Sequence, residues 1–599
     1  MGATIGIDLG TTNTAFAIAD GDSVRLIPNT DGENLTPSVL SLRSNGLERL
    51  IGRAAKRQQQ LYPANTVHSV KRFIGRSYSD LSAEQLNCGY KVFSSVTGDC
   101  LIRVDSQEYR PQDVSALILR QMIQEAEDYL GETITQAVIT VPAYFDDRMR
   151  NSTQEAGMLA GLDVLRIINE PTAAALAYAG KLSSSAGERK RVAVYDFGGG
   201  TFDISILEVE HDLAHVLSTR GDNALGGDDI DHILTEFVCQ EIESEHSINL
   251  RTDVVALQRI RDEVERAKCD LSAVQATSIT LPFIYNSPET GPVNFQHRIT
   301  RESYDAMIEG IVRRTIEQCR LALIDSGLTD NNVDEVILVG GSSRIPLVHT
   351  MLKEVFSSRQ NRTMNPDEVV AIGAAMQASL LANTSSKSVV LLDVTPFSLG
   401  IEVAGGEYRS IIHRNTTIPV DVRRQLTTVI DNQRTIKVHI LQGEEGMASD
   451  NTSLGEFELT DIMPAPKGTP KIELRIALDN DGIVQVSATD TRSGIRNELR
   501  IENQSRLSAE QIQQKKRQLE VTTAESASDA VALIETELAN LQSFLLDNAS
   551  MLPGQLRNTA LDAHQRISDL VYKTDKLDVL SQLMQKLVSL RNELDRHVS

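Results

Sequence analysis

A chain of 599 residues is longer than one hydrophobic core can organise, so three or four domains are expected. With 41% hydrophobic and 24% charged residues it has the composition of a soluble globular protein, and a net charge of −23 argues against a nucleic-acid binder, which needs a basic face. Acidity does not exclude nucleotide binding, because backbone N–H groups and a divalent cation can supply local positive potential. The start, Met1-Gly2-Ala3-Thr4-Ile5-Gly6-Ile7-Asp8, has no basic n-region, and no apolar stretch reaches membrane-spanning length. A cytoplasmic location without membrane insertion is expected. Cys88, Cys100, Cys239, Cys269 and Cys319 form no C-x-x-C pair and are expected to be small buried thiols.

From the N-terminus to about Ala382, strand-like and helix-like segments alternate, as in an α/β domain. Ala137–Val141 and Val192–Tyr195 are short, apolar and β-branched, and predict buried strands. Arg110 to Leu130 and Arg301 to Gly327 repeat apolar residues every three or four positions, and predict helices. After the polar loop Asn383–Lys387 comes Val389-Val390-Leu391-Leu392-Asp393, which reads as one more buried strand or as a linker that docks and undocks. Thr427–Ile430, Ile436–Ile440, Ile472–Ile476 and Ile483–Ser487 predict strands, with turns at Asp431-Asn432 and Asp479–Gly482, so an all-β sandwich follows. Ser508-Ala-Glu-Gln511 is a capping box opening a helical region. There Ile534, Leu538, Leu541 and Leu545 form one apolar stripe, and Leu577, Leu580, Met584, Leu587 and Leu594 another, divided by Pro553-Gly554.

No G-x-x-x-x-G-K-[ST] loop occurs. Instead Gly6-Ile7-Asp8-Leu9-Gly10-Thr11-Thr12-Asn13 and Val194-Tyr195-Asp196-Phe197-Gly198-Gly199-Gly200-Thr201 each place an Asp at a strand end before a Gly/Thr turn. Glycines let backbone N–H groups approach phosphate oxygens, each Asp can hold Mg²⁺ or its waters, and each Thr offers a hydroxyl. Two such loops in matching strand contexts predict two lobes clamping one nucleotide.

These two runs, with Val336-Ile-Leu-Val-Gly-Gly-Ser-Ser-Arg-Ile-Pro346, resemble the three signatures of the 70-kilodalton heat-shock chaperone (Hsp70) family. Val141-Pro-Ala-Tyr-Phe145, Asn169-Glu-Pro-Thr-Ala-Ala174 and Asn415-Thr-Thr-Ile-Pro419 extend the resemblance. It implies an actin-like α/β ATPase domain over 1–386, a linker over 387–395, a β-sandwich peptide-binding domain over 396–506 and an α-helical lid over 507–599. It also implies ATP/ADP with Mg²⁺, and optionally K⁺, as cofactors. Asp8, Lys71, Glu170, Asp196, Thr201 and Asp203 match the family's catalytic positions, with Asp8 and Asp196 facing Mg²⁺ through waters. Gly10, Thr11, Thr12, Asn13, Gly199, Gly200 and Thr201 match its phosphate loops, and Glu265, Lys268, Ser272, Gly341, Ser342, Arg344 and Asp367 its adenosine site. The spacing of Glu265 and Lys268 equally suits a plain surface ion pair.

Pro142 and Arg150, with Leu391, Leu392 and Asp393, match residues that couple the domains, and the resemblance tips the 389–393 run toward a docking linker. Ile401, Ala404, Leu426, Val429, Ile436 and Val438 fall where the family lines its peptide groove, although apolar strand residues are ordinarily core. Ala404 and Val429 stand where bacterial members often have Met and Ala, so peptide preference is expected to differ. The stretch Leu281 to Pro292 resembles the loop of bacterial DnaK-type members and implies a GrpE-type exchange factor. A J-domain co-chaperone and unfolded or nascent polypeptides complete the implied partners. The end at Arg596-His-Val-Ser599, without a Gly-rich or acidic tail, points to a shorter lid and a client-restricted paralogue as an alternative. The phosphate loops taken alone would also suit an actin-like small-molecule kinase.

Overall fold

The computed structural model describes residues 2–21, 23–43, 48–104, 107–182, 189–210, 213–287, 291–357, 359–361, 363–382, 390–492, 496–500, 509–522, 527–548 and 552–573, with separate positions between 579 and 594. The α/β region is a duplication. In the first lobe β1 (Ala3–Leu9), β2 (Asn13–Asp20) and β3 (Ser23–Ile27) form an antiparallel meander. After α1 (Gly52–Gln58) and α2 (Pro111–Leu130) come β4 (Ile134–Val141), α3 (Asp147–Ala160) and β5 (Asp163–Asn169), and the sheet order is β5-β4-β1-β2-β3. Its β1–β4 and β4–β5 pairs are parallel. Helix α4 (Glu170–Leu182) leads into the second lobe.

There β6 (Lys190–Phe197), β7 (Phe202–Glu210) and β8 (Leu213–Asp222) repeat the meander, followed by α5 (Gly227–His246), α6 (Val254–Ala273) and α7 (Arg301–Ser326). Strand β9 (Glu335–Val339) lies parallel to β6, and Arg359–Asn361 lies parallel to β9. Both lobes thus place a parallel strand beside the first strand of a meander, and both Asp-Gly turns close the hairpin between the first two strands. Each lobe has its own buried core, and a third, alanine-rich core joins them. In that joint α8 (Val369–Leu381) lies against α4 and β1 so closely that a Cβ on Gly373 would sit 1.8 Å from the Ala173 carbonyl oxygen. A Cβ on Gly6 would sit 2.0 Å from the Ala375 nitrogen. Small residues here let the lobes share a narrow hinge line.

Strand β10 (Val390–Val394) extends the second lobe's sheet in parallel with β8, Leu213 opposite Val390 and His215 opposite Leu392. On its other side Asp393 and Val394 pair with Ile418 and Thr417. The run is therefore a strand, though not a fully buried one: Val390 is exposed and Leu391 and Leu392 are only half-buried. Val389 lies outside the described residues.

The all-β unit holds β11 (Leu399–Val403), β12 (Glu407–Ile412), β13 (Val420–Leu426), β14 (Ile436–Gln442), β15 (Thr452–Leu459), β16 (Ile472–Leu478), β17 (Val484–Asp490) and β18 (Arg496–Arg500). Two four-stranded sheets, β12-β11-β14-β15 and β13-β16-β17-β18, enclose one core. The strand expected at Thr427–Ile430 is displaced: β13 ends at Leu426, whose partner Ile472 is the first residue of β16. Beyond it the ladder is not continued: the Thr428 carbonyl accepts a single backbone bond, from the Gly468 N–H at 3.0 Å, and Val429 and Ile430 are exposed at 69% and 62%. The Leu281–Pro292 stretch, expected as a loop, belongs to a long hairpin of Ala276–Ser287 with Gly291–Thr300, because Leu281, Ile284, Val293 and Phe295 pack into the second-lobe core.

Helix α9 (Ala509–Thr522) lies on the first lobe, contributing Ile512 and Leu519 to its core and Lys515 to Asp113 at 3.5 Å. Ser508 of the expected capping box lies outside the described residues. Helices α10 (Ala527–Asp547) and α11 (Gly554–Val571) bury Ile534, Leu538, Leu541 and Leu545 with Leu580, Leu587 and Leu594. Leu577 and Met584 lie outside the described residues. Among those residues no helix is long and apolar enough to cross a membrane. All five thiols are free; four are buried as expected, but Cys269 is exposed on the wall of the cavity between the lobes.

Candidate functional site

The two Asp-Gly loops meet across the cleft. At the β1–β2 turn a Cβ on Gly10 would fall 2.2 Å from the Asn13 carbonyl oxygen, so only glycine closes it. At the β6–β7 turn Gly198 donates its N–H to the Thr201 carbonyl at 3.0 Å. A Cβ on Gly199 would reach within 2.1 Å of Thr12 Oγ1, and one on Gly200 within 2.9 Å of Thr11 and Arg72. Gly340, with φ of +77°, brings the 341–344 turn under β6, where Ser342 donates to the Gly198 carbonyl at 2.9 Å. Between these loops lies a cavity of about 480 Å³. All but two of the residues assigned from the sequence to catalysis and nucleotide binding line it, the exceptions being Gly200 and Asp203.

Its floor is acidic. Lys71 donates to Glu170 at 2.5 Å, with both side chains under 10% exposed, and its ammonium lies 5.7 Å from the centre of the Phe145 ring. Asp8, Asp196 and Asp203 complete a group of four carboxylates around one lysine. Burial, then Glu170 beside it, pushes Asp8 up to about 7, and the same two causes push Asp203 up to about 8. Asp196 is pushed well above the carboxylate range by burial, then by Glu170, Asp203 and Asp8. Such a set is short of positive charge. Among the described residues no three acidic, imidazole or thiol side chains converge closely enough to hold a metal unaided. A hard cation here would take oxygen ligands from Asp8 and Asp196 and fill its shell with waters and phosphate oxygens, which suits Mg²⁺.

At the other end of the cavity Glu265 and Lys268 of α6 do not pair with each other, so the plain surface ion pair is ruled out. Glu265 takes Lys56 of α1 at 2.8 Å across the cleft, and Lys268 takes Asp231 of α5 at 2.6 Å and the Gly227 carbonyl at 3.2 Å. Burial works against the Glu265 charge, yet Lys56 and Lys268 hold its carboxyl below its ordinary value. Ser272 donates to the Lys268 carbonyl at 3.5 Å. Arg344 reaches Asp367 at 2.5 Å and Asn365 at 3.0 Å, with Gly341 beside them. This is the polar, half-open geometry a nucleoside needs at the far end of a phosphate clamp.

The Hsp70 family model, described as Hsp70 protein, matches residues 4–598. The chain belongs to the Hsp70 family. Family membership supports a chaperone function, ATP and ADP binding with Mg²⁺, and ATPase activity at the level of the family.

Within this Hsp70 the residues assigned to coupling converge. Arg150 of α3 donates to the Asn169 side-chain oxygen at 2.6 Å, to the Ala143 and Phe145 carbonyls at 3.1 Å each, and to the Asp481 carbonyl of the sandwich at 3.4 Å. Phe145 donates its N–H back to the Pro142 carbonyl at 3.2 Å, which fixes the bend that presents Arg150. Asp393 of β10 accepts from Asn169 Nδ2 and Thr172 Oγ1, each at 2.9 Å.

Of the six residues matched to the peptide groove, Ile401, Ile436 and Val438 are buried in the sandwich core and Leu426 packs against it half-buried. Ala404 and Val429 are exposed.

Sequence reasoning missed Arg72, which bridges the lobes to Asp229 at 2.8 Å and Asp228 at 3.5 Å. It also missed Lys56 and Asp231. The signal for the second-lobe side was Gly226-Gly227-Asp228-Asp229: a Cβ on Gly226 would fall 2.3 Å from the Gly199 carbonyl oxygen, and Asp228 donates its N–H to that carbonyl at 2.7 Å.

Proposed function

We propose that this protein is an ATP-dependent chaperone whose hydrolysis cycle controls capture and release of extended apolar segments of unfolded polypeptides. One observation carries the reading. Asn169, which holds Asp393 and Arg150, is followed directly by Glu170, the carboxylate paired with Lys71 at the cavity floor. One residue step therefore separates the nucleotide pocket from the strap that leads to the sandwich. A small-molecule kinase would have no use for that connection.

In this reading Lys71 supplies the cation at the transferring phosphoryl group, and its pairing with Glu170 fixes the ammonium in place. Glu170, Asp203 and the Thr201 hydroxyl orient the attacking water. The Gly10 and Gly198–Gly200 turns bring backbone N–H groups to the phosphates. Mg²⁺, held from Asp8 and Asp196, would neutralise phosphate charge. Peptide on the sandwich and nucleotide between the lobes are coupled through one docked interface, so each must alter the other's affinity. A J-domain protein and a GrpE-type exchange factor are the partners this cycle calls for.

The test is single-turnover ATP hydrolysis with an unfolded apolar peptide, with and without a J-domain protein. Stimulation with free phosphate as product supports the chaperone reading. An unchanged rate, or a phosphorylated small molecule in place of phosphate, overturns it.

The docked interface also makes a pH prediction. Asp147 of α3 accepts the Val484 N–H of the sandwich at 2.9 Å, and burial, only partly offset by that bond, pushes it up to about 7. Asp481, facing Arg166 at 3.7 Å, is pushed up to about 6 by burial and by Asp479. A solvated carboxylate releases its proton near 3.9. The docked form therefore binds more protons between roughly pH 4 and 7, and docking weakens as pH rises through that window. Energy transfer between dyes on the sandwich and the second lobe should report more docked molecules at pH 6 than at pH 8. Asp147→Asn should flatten the trend.

A further inference from the structure

Strand β13 reads Val420-Asp421-Val422-Arg423-Arg424-Gln425-Leu426. Its antiparallel register with β16 sets Val420 opposite Leu478, Val422 opposite Ile476, Arg424 opposite Leu474 and Leu426 opposite Ile472. All four partners are buried in the sandwich core. Residues directly opposite each other in an antiparallel pair point to the same side of the sheet. Arg424 therefore stands on the inner face, in a row whose other members, Val420, Val422 and Leu426, pack against that core.

A guanidinium on the outer face would need no account, and the outer-face arginines behave as expected. Arg423 reaches Glu473 at 3.2 Å, and Arg475 reaches Asp421 at 2.7 Å. Arg424 has no carboxylate within ion-pair distance among the described residues, and its one recorded bond goes to the Arg423 carbonyl at 3.2 Å. It remains exposed although it shares a face with core residues, so the sandwich is open beside it. Leu426, about 7 Å further along the same face at the strand rise, is the residue matched to the peptide groove. The exposed Val429 and Ile430 follow immediately.

We infer that Arg424 is a specificity-determining residue that selects extended peptides carrying an acidic side chain beside their apolar centre. This rests on the peptide-binding reading above and names its substrate class. The apolar stem of Arg424 can lie over Leu474 while the planar fork stays at the open end, where it accepts a carboxylate in two-pronged fashion. A lysine-flanked peptide would meet a like charge at the same place.

The test uses the full-length protein with ADP and three fluorescein-labelled heptapeptides sharing a Leu/Val centre, flanked by Glu, Gln or Lys, with binding read by anisotropy. The Glu-flanked peptide should bind about fivefold tighter than the Lys-flanked one, the range of a partly exposed ion pair. The preference should shrink at about 0.5 M salt. Arg424→Gln should reduce the ratio to near one, Arg424→Glu should invert it, and Arg423→Gln, on the outer face, should leave it unchanged. Peptide binding with no acidic preference, or a preference that survives Arg424→Gln, overturns the inference while leaving the chaperone reading intact. Failure of all three peptides to bind overturns both.

Discussion

Replacing Lys71 with Ala is expected to slow single-turnover ATP hydrolysis by about 10²–10³-fold, the usual cost of losing one preorganised charge at a developing oxyanion. Nucleotide affinity should change far less. The phosphates are approached by backbone at Gly10 and Gly198–Gly200, and the nucleoside end is built from α6 and the Gly341–Asp367 region, none of which Lys71 touches. Only the loss of an interaction stronger in the transition state than in the ground state lowers the turnover rate without weakening binding. Among the described residues Lys71 is the one cation paired with Glu170, and three further carboxylates lie close to the pair. Its removal therefore leaves Glu170 without a partner, and Glu170→Gln should cost nearly as much as Lys71→Ala. The double variant should lose little beyond either single one, because the two side chains act as a unit. Rapid-quench hydrolysis and nucleotide titration on the same samples separate these effects. Lost affinity with the saturating rate unchanged would make Lys71 a ground-state anchor.

How much of this was legible in the sequence depended on whether the chemistry leaves a local trace. The loops at Asp8 and Asp196 did, because a carboxylate at a strand end followed by glycines is what a tight approach to phosphate requires. Their duplication also foretold two lobes, but not the meander-plus-parallel-strand topology that each repeats. Lys71 left no trace beyond the family resemblance, since a single lysine reads as a solvated charge until Glu170 is seen beside it. Arg72 was hidden for the same reason, as its partners Asp228 and Asp229 come from the far side of the cleft.

The Thr427–Ile430 run was misread because β-branched residues favour strands only where a partner strand continues alongside them. At Leu426 the partner strand stops. Cys269 was misread because burial was inferred from residue type, whereas its helix face forms the wall of an open cavity. The 389–393 run could not be resolved in advance, since a half-buried strand and a docked strap differ only in whether an edge such as β8 is free to receive them.

Replacing Asp393 with Ala should abolish peptide stimulation of ATP hydrolysis while leaving the basal rate within about threefold. The carboxylate is 7% exposed and accepts three hydrogen bonds, from Asn169, Thr172 and the Val394 N–H. Its removal leaves two buried side-chain donors at the start of α4 unsatisfied, each worth about 1–3 kcal/mol. The backbone pairing of β10 with β8 survives, so the strap can still lie on the sheet edge, but nothing then ties its position to Asn169 and, one residue on, to Glu170. A loss of about 2–6 kcal/mol on these terms shifts the equilibrium strongly away from the docked state. Asp393→Asn separates hydrogen bonding from charge: its carbonyl oxygen can still accept from Asn169 and Thr172, while the attraction to Arg150 is lost. Partial stimulation in Asp393→Asn and none in Asp393→Ala would place the coupling in those hydrogen bonds. Equal loss in both would place it in the Arg150 charge. Undiminished stimulation in both would move the coupling away from the strap, to the sandwich contacts that Arg150 and Asp147 make with Asp481 and Val484.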